Sequence, residues 1–336
     1  MHHSETEGAL PPSPLVYDPV MDLRIRAMRR AEAQPVYDLL ELVFGEKDAP
    51  LVRFAAQTQR DSTFRLRHGR VAVDGTRVVG YVRIFARTML VCEAPVRVGG
   101  IGSVATHPDA RHDGIATALL RDAIAQMRRD GMQASFLFTG IPGFYERLGW
   151  RIVREPQFTV DASGAAALRD AGLWSVRATA DGDVRRMLAI YRRAIAGATG
   201  AILRAARTWR DAQAWLDEDA DGCFVAERNG AVVAYLRSRS RTYGRQVLEA
   251  ECQPGHEGAI AALLAAVGRR ASEQGERSIV ALAPDAHPLA TMLRSLPATH
   301  ETMDVEHPMM VLGLGERWVE EALLSEPIRW WNSDRI

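Results

Sequence analysis

The chain has few of the features that mark several large protein classes. Its three cysteines, Cys92, Cys223 and Cys252, have no spacing typical of a disulfide framework or a zinc site. The nine histidines form no H-E-x-x-H arrangement, so we predict no bound metal. No apolar run approaches the ~20 residues that a membrane-spanning helix needs. We therefore expect a reducing, cytoplasmic compartment and no membrane partner.

Neither sign of charge is in excess, because Lys+Arg and Asp+Glu both number 42. Without a net field the chain has no general attraction for nucleic acid, and we predict no nucleic-acid partner. A length of 336 residues predicts two domains. Residues 1–21 are polar and proline-rich, lack the apolar core of a secretory signal, and are expected to form a flexible tail.

The most informative segment is Arg-His-Asp-Gly-Ile-Ala at positions 111–116, between an apolar strand and an amphipathic helix. After it, apolar residues recur at helical spacing and mark one buried face. A basic, glycine-containing turn that opens a helix directs several unpaired backbone N–H groups, and the positive end of the helix dipole, at one point. Gly114 allows close approach of a ligand, and Arg111 adds positive charge. The pattern predicts a diphosphate site.

A second glycine run, Gly-Ile-Gly-Ser-Val-Ala at positions 100–105, matches the loose dinucleotide pattern G-x-G-x-x-A. In a dinucleotide site the helix begins within the glycine run. Here Pro108 and a polar turn come first, so the helix starts too late. We expect these glycines to mark a strand with a bulge or a close backbone contact.

The sequence also repeats itself. Two similar stretches, 71–83 and 225–237, predict hairpins that turn at Asp74-Gly75 and Asn229-Gly230. Both copies follow the order strand, helix, hairpin, strand, helix, strand. We predict a mixed α/β fold with tandem domains at residues 22–160 and 172–315, and a C-terminal tail at 316–336.

The second copy differs from the first where a ligand would bind. Gly258 matches Gly114, but Gly255 stands in the place of Arg111, and an acidic Glu257 precedes the matching glycine. We predict that the second domain is degenerate and shapes the substrate cleft.

The 111–116 segment fits the Arg/Gln-x-x-Gly-x-Gly/Ala motif of the GNAT-type N-acetyltransferase superfamily, which binds acetyl-CoA. About 30 residues later, Gly-Phe-Tyr-Glu-Arg-Leu-Gly-Trp at 143–150 resembles the segment that closes many GNAT domains. The tandem plan resembles the enhanced intracellular survival (Eis-like) family, with an active first GNAT domain and a degenerate second one. The residues after 315 are too few for that family's third, sterol-carrier-like domain. Mycothiol synthase also has tandem GNAT domains, but there the second one is active.

This resemblance implies direct transfer of an acetyl group from acetyl-CoA to an amine. It places the pantetheine arm at the end of the fourth strand, the diphosphate at the turn and first helical residues, and the thioester after the fifth strand. The implied cofactor-binding residues are Val104, Ala105, Thr106, Arg111, His112, Asp113, Gly114, Ile115, Ala116, Thr117, Gly140 and Ile141.

The resemblance also assigns Tyr145 as the general acid that protonates the departing thiolate. An amine must lose a proton before it attacks, and the base is less defined. Glu93, His107 and Glu146 are candidates by sequence proximity. In the resembling family the chain's own terminal carboxylate reaches the active site, which makes Ile336 a further catalytic candidate.

The acceptor is expected to be a small-molecule amine or a lysine-bearing peptide. The acidic run at 217–221 either attracts a polycationic acceptor or is a solvated loop. Two alternatives stay open: transfer of a longer acyl group, and a non-catalytic acyl-CoA-binding regulatory or interaction protein. By resemblance the protein is also a possible homo-oligomer.

Overall fold

The computed structural model describes residues 22–45, 55, 58–169, 172–207, 209 and 222–334. Within these ranges the chain forms two seven-stranded mixed sheets with helices packed on them. The predicted mixed α/β class with two similar halves is confirmed. No helix in the described part of the chain is long and apolar enough to cross a membrane.

The first half builds a sheet in which β1 to β4 are antiparallel neighbours and β5 runs parallel to β4. A parallel pair needs a crossover, and α2 provides it across one face of the sheet. The predicted apolar face of α2 is buried, which confirms the helical periodicity. The elements are β1 (Leu23–Ala27), α1 (Ala33–Phe44), β2 (Gly69–Asp74), β3 (Arg77–Val91), β4 (Ala94–Thr106), α2 (Ile115–Arg129), β5 (Ala134–Phe138), α3 (Pro142–Glu146) and β6 (Arg151–Ile152).

The second half repeats this plan, and β12 again runs parallel to β11. Its elements are β7 (Gln157–Asp161), α4 (Ala162–Ala166), β8 (Ser175–Ala178), α5 (Val184–Ala194), β9 (Cys223–Arg228), β10 (Ala231–Arg241), β11 (Gly244–Cys252), α6 (Ala259–Glu273), β12 (Ser278–Leu282), α7 (Pro288–Arg294), β13 (His300–Thr302), β14 (Met309–Gly313) and α8 (Arg317–Ser325).

Both predicted hairpins are confirmed. The β2–β3 turn holds Gly75 at φ +57°, and the β9–β10 turn holds Asn229 and Gly230 at φ +52° and +75°. Such positive φ values match the twist of the flanking strands and favour Asn and Gly, which is why these dipeptides mark the turns.

The two halves exchange strands. β14 comes late in the chain but lies in the first sheet, between β5 and β6. In return β7, which follows the first half, lies in the second sheet between β12 and β13. The domain boundaries at 160 and 172 stay a prediction. β7 lies at the first of these boundaries and β14 follows both, and each of the two strands joins the sheet of the other half.

The glycine run at 100–105 lies within β4, and α2 begins only at Ile115. Ser103 has φ +51° at a bulge in the β3–β4 ladder, and a Cβ on Gly99 would collide with Met127 of α2. The expectation of a bulged strand with a close helix contact is confirmed.

Residues 326–334, here called the C-terminal segment, follow α8 and pack between the two halves. The Trp330 ring lies 5.0 Å from Phe136 and 5.3 Å from Phe138 of β5, while Trp331 donates its indole N–H to Glu251 of β11 (2.9 Å). Both tryptophans are 1% exposed. This end of the chain is therefore a packed element that contacts both sheets.

Candidate active site

A gap opens in the first sheet where β4 and β5 separate. The two strands pair only from Val98 to Gly100 on β4, after which β4 continues to Thr106 without β5 beside it. The bulge at Ser103 lies just beyond the last pair, and a bulge redirects the backbone groups around it. The backbone of β4 beyond Gly100 therefore has no β5 partner along this edge.

The predicted diphosphate site lies at the start of α2, beyond the end of β4. His112 and Gly114 both have φ +74°, and Gly114 has no side chain to cap the helix. The first hydrogen bond within the helix joins Ala118 N to Gly114 O (3.0 Å). The backbone N–H groups of residues 115–117 therefore have no acceptor within the helix, as is usual at a helix N-terminus. A Cβ added to Gly114 would meet no described atom within 4 Å. The turn presents backbone donors to open space, which fits an anionic ligand.

The structure arranges the predicted cofactor-binding residues in three segments that border the gap. Ala105 and Ile115 are both 1% exposed and belong to the hydrophobic core. The segments are the end of β4 (Val104, Ala105, Thr106), the turn and first turn of α2 (Arg111, His112, Asp113, Gly114, Ile115, Ala116, Thr117) and the loop after β5 (Gly140, Ile141).

Tyr145 lies on α3, which follows that third segment. Its ring makes edge contacts with Phe144 (5.0 Å between centroids) and Trp150 (6.0 Å), and burial raises the pKa of the phenol to about 12. The hydroxyl therefore stays protonated throughout the neutral range. Such a group is able to donate a proton but not to accept one.

A histidine that sequence reasoning missed lies at the same end of the gap. His307, in the loop before β14, packs against Gly140: a Cβ on that glycine would be 2.9 Å from His307 Cε1 and 3.1 Å from Nδ1. No local pattern could have found this residue, because its position depends on the pairing of β14 with β5.

Two arginines of β3 and Asp61, which precedes β2, form a further group that the sequence did not indicate. Arg83 lies opposite Gly102 of β4, and its guanidinium group bonds to Asp61 (2.8 Å) and stacks on Phe85 (4.1 Å). Although burial opposes ionisation, the charges of Arg87 and Arg83 hold the pKa of Asp61 below its ordinary value. Asp61 is thus an ion-pair partner and a weak base.

The predicted base candidates are not brought together. Glu93 lies in the β3–β4 turn, about 30 Å along β4 from Gly102 at ~3.3 Å per residue. His107 accepts a hydrogen bond from the backbone N–H of Asp109 (3.2 Å), beyond the end of β4. Glu146 is exposed at the end of α3, and Ile336 lies outside the described residues, as does the acidic run 217–221.

In the second half, residues 255–258 form the turn that corresponds to 111–114, and side chains of the protein occupy it. Glu257 accepts a hydrogen bond from the backbone N–H of Gly255 (2.8 Å), so a carboxylate occupies the donors that an anion would need. The ring of Trp174 covers the start of α6: a Cβ on Gly258 would be 2.7 Å from it.

The gap between β11 and β12 is also occupied. Asn332 donates to the carbonyl of Val247 (3.1 Å), the last residue of β11 that pairs with β12. Next to it Arg204 forms ion pairs with Glu249 (2.8 Å) and Asp334 (2.7 Å), all three being buried. The C-terminal segment thus occupies the gap in the second sheet. The matching gap in the first sheet is the one bordered by the predicted cofactor-binding residues.

Comparisons with known proteins agree with this geometry. Residues 24–153 match the family model described as an acetyltransferase (GNAT) domain. No curated protein matches the sequence.

Several solved structures share the fold of the chain. A GCN5-related N-acetyltransferase from Kribbella flavida is 22% identical, with a TM-score of 0.67 over 88% of this chain and 72% of that one. Eis1 from Mycobacterium abscessus is 18% identical, with a TM-score of 0.61 over 89% of this chain and 76% of that one. N-myristoyltransferase from Saccharomyces cerevisiae, solved with myristoyl-CoA, is 9% identical, with a TM-score of 0.58 over 92% of this chain and 81% of that one.

Proposed function

We propose that the chain is a tandem GNAT protein that transfers an acetyl group from acetyl-CoA to a primary amine, with residues 24–153, which match the acetyltransferase (GNAT) domain model, as its catalytic domain. The acceptor is a small molecule or a lysine side chain. The observation that carries the proposal is the open turn at Gly114 beside the divergence of β4 and β5.

The residues around the gap fit acetyl-CoA in its three parts. The turn at 112–117 offers fixed amide donors to the diphosphate, and Arg111 adds a charge at its rim. The end of β4 offers unpaired backbone to the pantetheine arm, and Gly140 and Ile141 border the thioester. Backbone donors suit this task because they are preorganised and lose little entropy on binding.

In the proposed reaction the amine nitrogen attacks the thioester carbonyl carbon after losing one proton. A C–N bond forms, the C–S bond breaks, and the sulfur takes the proton of the Tyr145 hydroxyl. The nitrogen then gives up its second proton, which returns the Tyr145 phenolate to the hydroxyl form directly or through solvent. The products are an acetamide and free coenzyme A thiol. The Tyr145 hydroxyl carries its proton at neutral pH, as the role of acid requires.

The second half serves as a wall of the acceptor cleft rather than a second catalytic site. Its turn holds Glu257 and Trp174 where the first half is open, and the C-terminal segment fills the gap beside β11. We therefore expect one molecule of acetyl-CoA to bind per chain.

Calorimetric titration with acetyl-CoA, followed by a screen of amines for thiol release, tests the proposal. Tyr145→Phe should bind acetyl-CoA as the parent does and release thiol about 100-fold more slowly, the lower end of typical acid–base contributions. Tyr243→Phe, at an exposed tyrosine in the β10–β11 turn, is the matched control. Binding without turnover for any amine would favour a non-catalytic acyl-CoA-binding protein, and unchanged turnover of Tyr145→Phe would remove that residue from the mechanism.

A further inference from the structure

The exchanged strand β14 brings one histidine of the second half to the reacting end of the first. β14 and β5 are antiparallel, with Met309 opposite Phe138. Counting outward along this register, Pro308 falls opposite Thr139, and His307 falls opposite Gly140. The position of His307 thus follows from strand pairing as well as from the side-chain contact.

The contact itself is close because residue 140 has no side chain. His307 Cε1 and Nδ1 lie 2.9 and 3.1 Å from where a Gly140 Cβ would be, so any larger residue would displace the ring. The His307 side chain is 53% exposed, and Glu306 Oε1 lies 3.9 Å from Nε2. The imidazole therefore rests on the loop that borders the thioester while part of it still reaches solvent.

The groups described so far do not identify the base of the proposed reaction. An alkylamine is mostly protonated at neutral pH and cannot attack in that form. Tyr145 keeps its own proton, and Asp61 is held in ion pairs with Arg83 and Arg87. Histidine is the residue whose ordinary pKa allows it to accept and release a proton between pH 5 and 8.

We propose that His307 is the general base of the acetyl transfer. This inference rests on the proposed function. The ammonium form of the acceptor gives one proton to the imidazole, directly or through one water, and the free amine then attacks the thioester. After the C–S bond breaks, His307 passes its proton to solvent, so the ring is neutral again for the next turnover. The catalytic site would then combine Tyr145 of the first half with His307 of the second.

Two probe acceptors separate a base from a structural role. Nα-Acetyllysine amide has an alkylamine that is protonated at neutral pH, whereas acetohydrazide is already neutral there. If His307 removes the proton, His307→Ala should lower kcat/KM for the lysine probe about 100-fold and leave the hydrazide nearly unaffected. His300→Ala, at an exposed histidine of β13, is the matched control and should change neither value.

Gly140→Ala provides a second variant that keeps the histidine but moves it. The added Cβ would push the exposed imidazole aside, so kcat/KM for the lysine probe should again fall more than kcat/KM for the hydrazide. The ratio of the two values is the readout, because any effect on acetyl-CoA binding is common to both probes. An equal loss for both probes in His307→Ala, or no loss for either, would overturn the proposal. If the unsubstituted chain binds acetyl-CoA but acetylates neither probe nor any screened amine, the proposed function itself fails, and this inference fails with it.

Discussion

Replacing Gly114 by alanine tests whether the turn before α2 is a diphosphate site. The residue has φ +74°, a conformation that costs an L-amino acid about 1–2 kcal/mol. No described atom lies within 4 Å of the added Cβ, so no collision adds to this cost. The free energy of unfolding should therefore fall by about 1–2 kcal/mol only.

Gly75 offers a control with nearly the same backbone cost. It has φ +57°, and a Cβ there would also meet no described atom, but it lies in the β2–β3 turn. Gly75→Ala and Gly114→Ala should lose similar stability in urea unfolding. Only Gly114→Ala places a methyl group in the space that a diphosphate must enter.

The difference between the two variants should appear in the Kd for acetyl-CoA, measured by calorimetry. We expect Gly114→Ala to bind about tenfold more weakly than the unsubstituted chain, which corresponds to about 1.4 kcal/mol, and Gly75→Ala to bind as the unsubstituted chain does. If both variants bind acetyl-CoA equally well, the turn does not hold the diphosphate, and the cofactor-binding assignments at 111–117 have to be withdrawn.

The buried ion pairs of the C-terminal segment support two further predictions. Arg204→Met leaves the carboxylates of Glu249 and Asp334 buried without their shared cation, so the free energy of unfolding in urea should fall by about 3–5 kcal/mol. Arg317→Met, which removes an ion pair at the surface, is the control and should change little. A fall below about 1 kcal/mol for Arg204→Met would count against the network. Burial raises the pKa of Asp334 from 3.8 to about 6, so the folded chain binds more protons than the unfolded one between these values. The contribution of this carboxyl to stability is therefore present below about pH 4 and declines as the pH rises to about 6. Asp334→Asn should lack that decline in pH-dependent unfolding and the exposed Asp304→Asn should keep it, and identical slopes would contradict the assignment.

Some features of the fold were predictable because they depend on a few neighbouring residues. Asn229-Gly230 and its counterpart in the first half specify hairpins through their tolerance of positive φ. The spacing of Ile115, Leu119 and Met127 defines the buried face of α2. Gly114 marked the turn before α2 for the same local reason, since it has φ +74°. The sequence also predicted where the second copy differs from the first, and in the structure Glu257 accepts a hydrogen bond from the backbone N–H of Gly255 in the matching turn.

Other features depend on contacts between distant segments. The apolar run at 309–313 predicts a strand, but nothing in it tells which of two similar sheets it joins. Arg83 and Asp61, and likewise Trp174 and Gly258, meet only because of how the elements pack. The same holds for the C-terminal segment, which contacts both sheets.

The sequence alone therefore determined the local elements, the tandem plan and the position of the glycine turn before α2, because backbone preferences and side-chain periodicity act over a few residues. Only the tertiary structure decided that β14 joins β5 and carries His307 to Gly140. Strand partner and register are set by the burial of whole sheet faces, a property of the complete fold that no single segment contains.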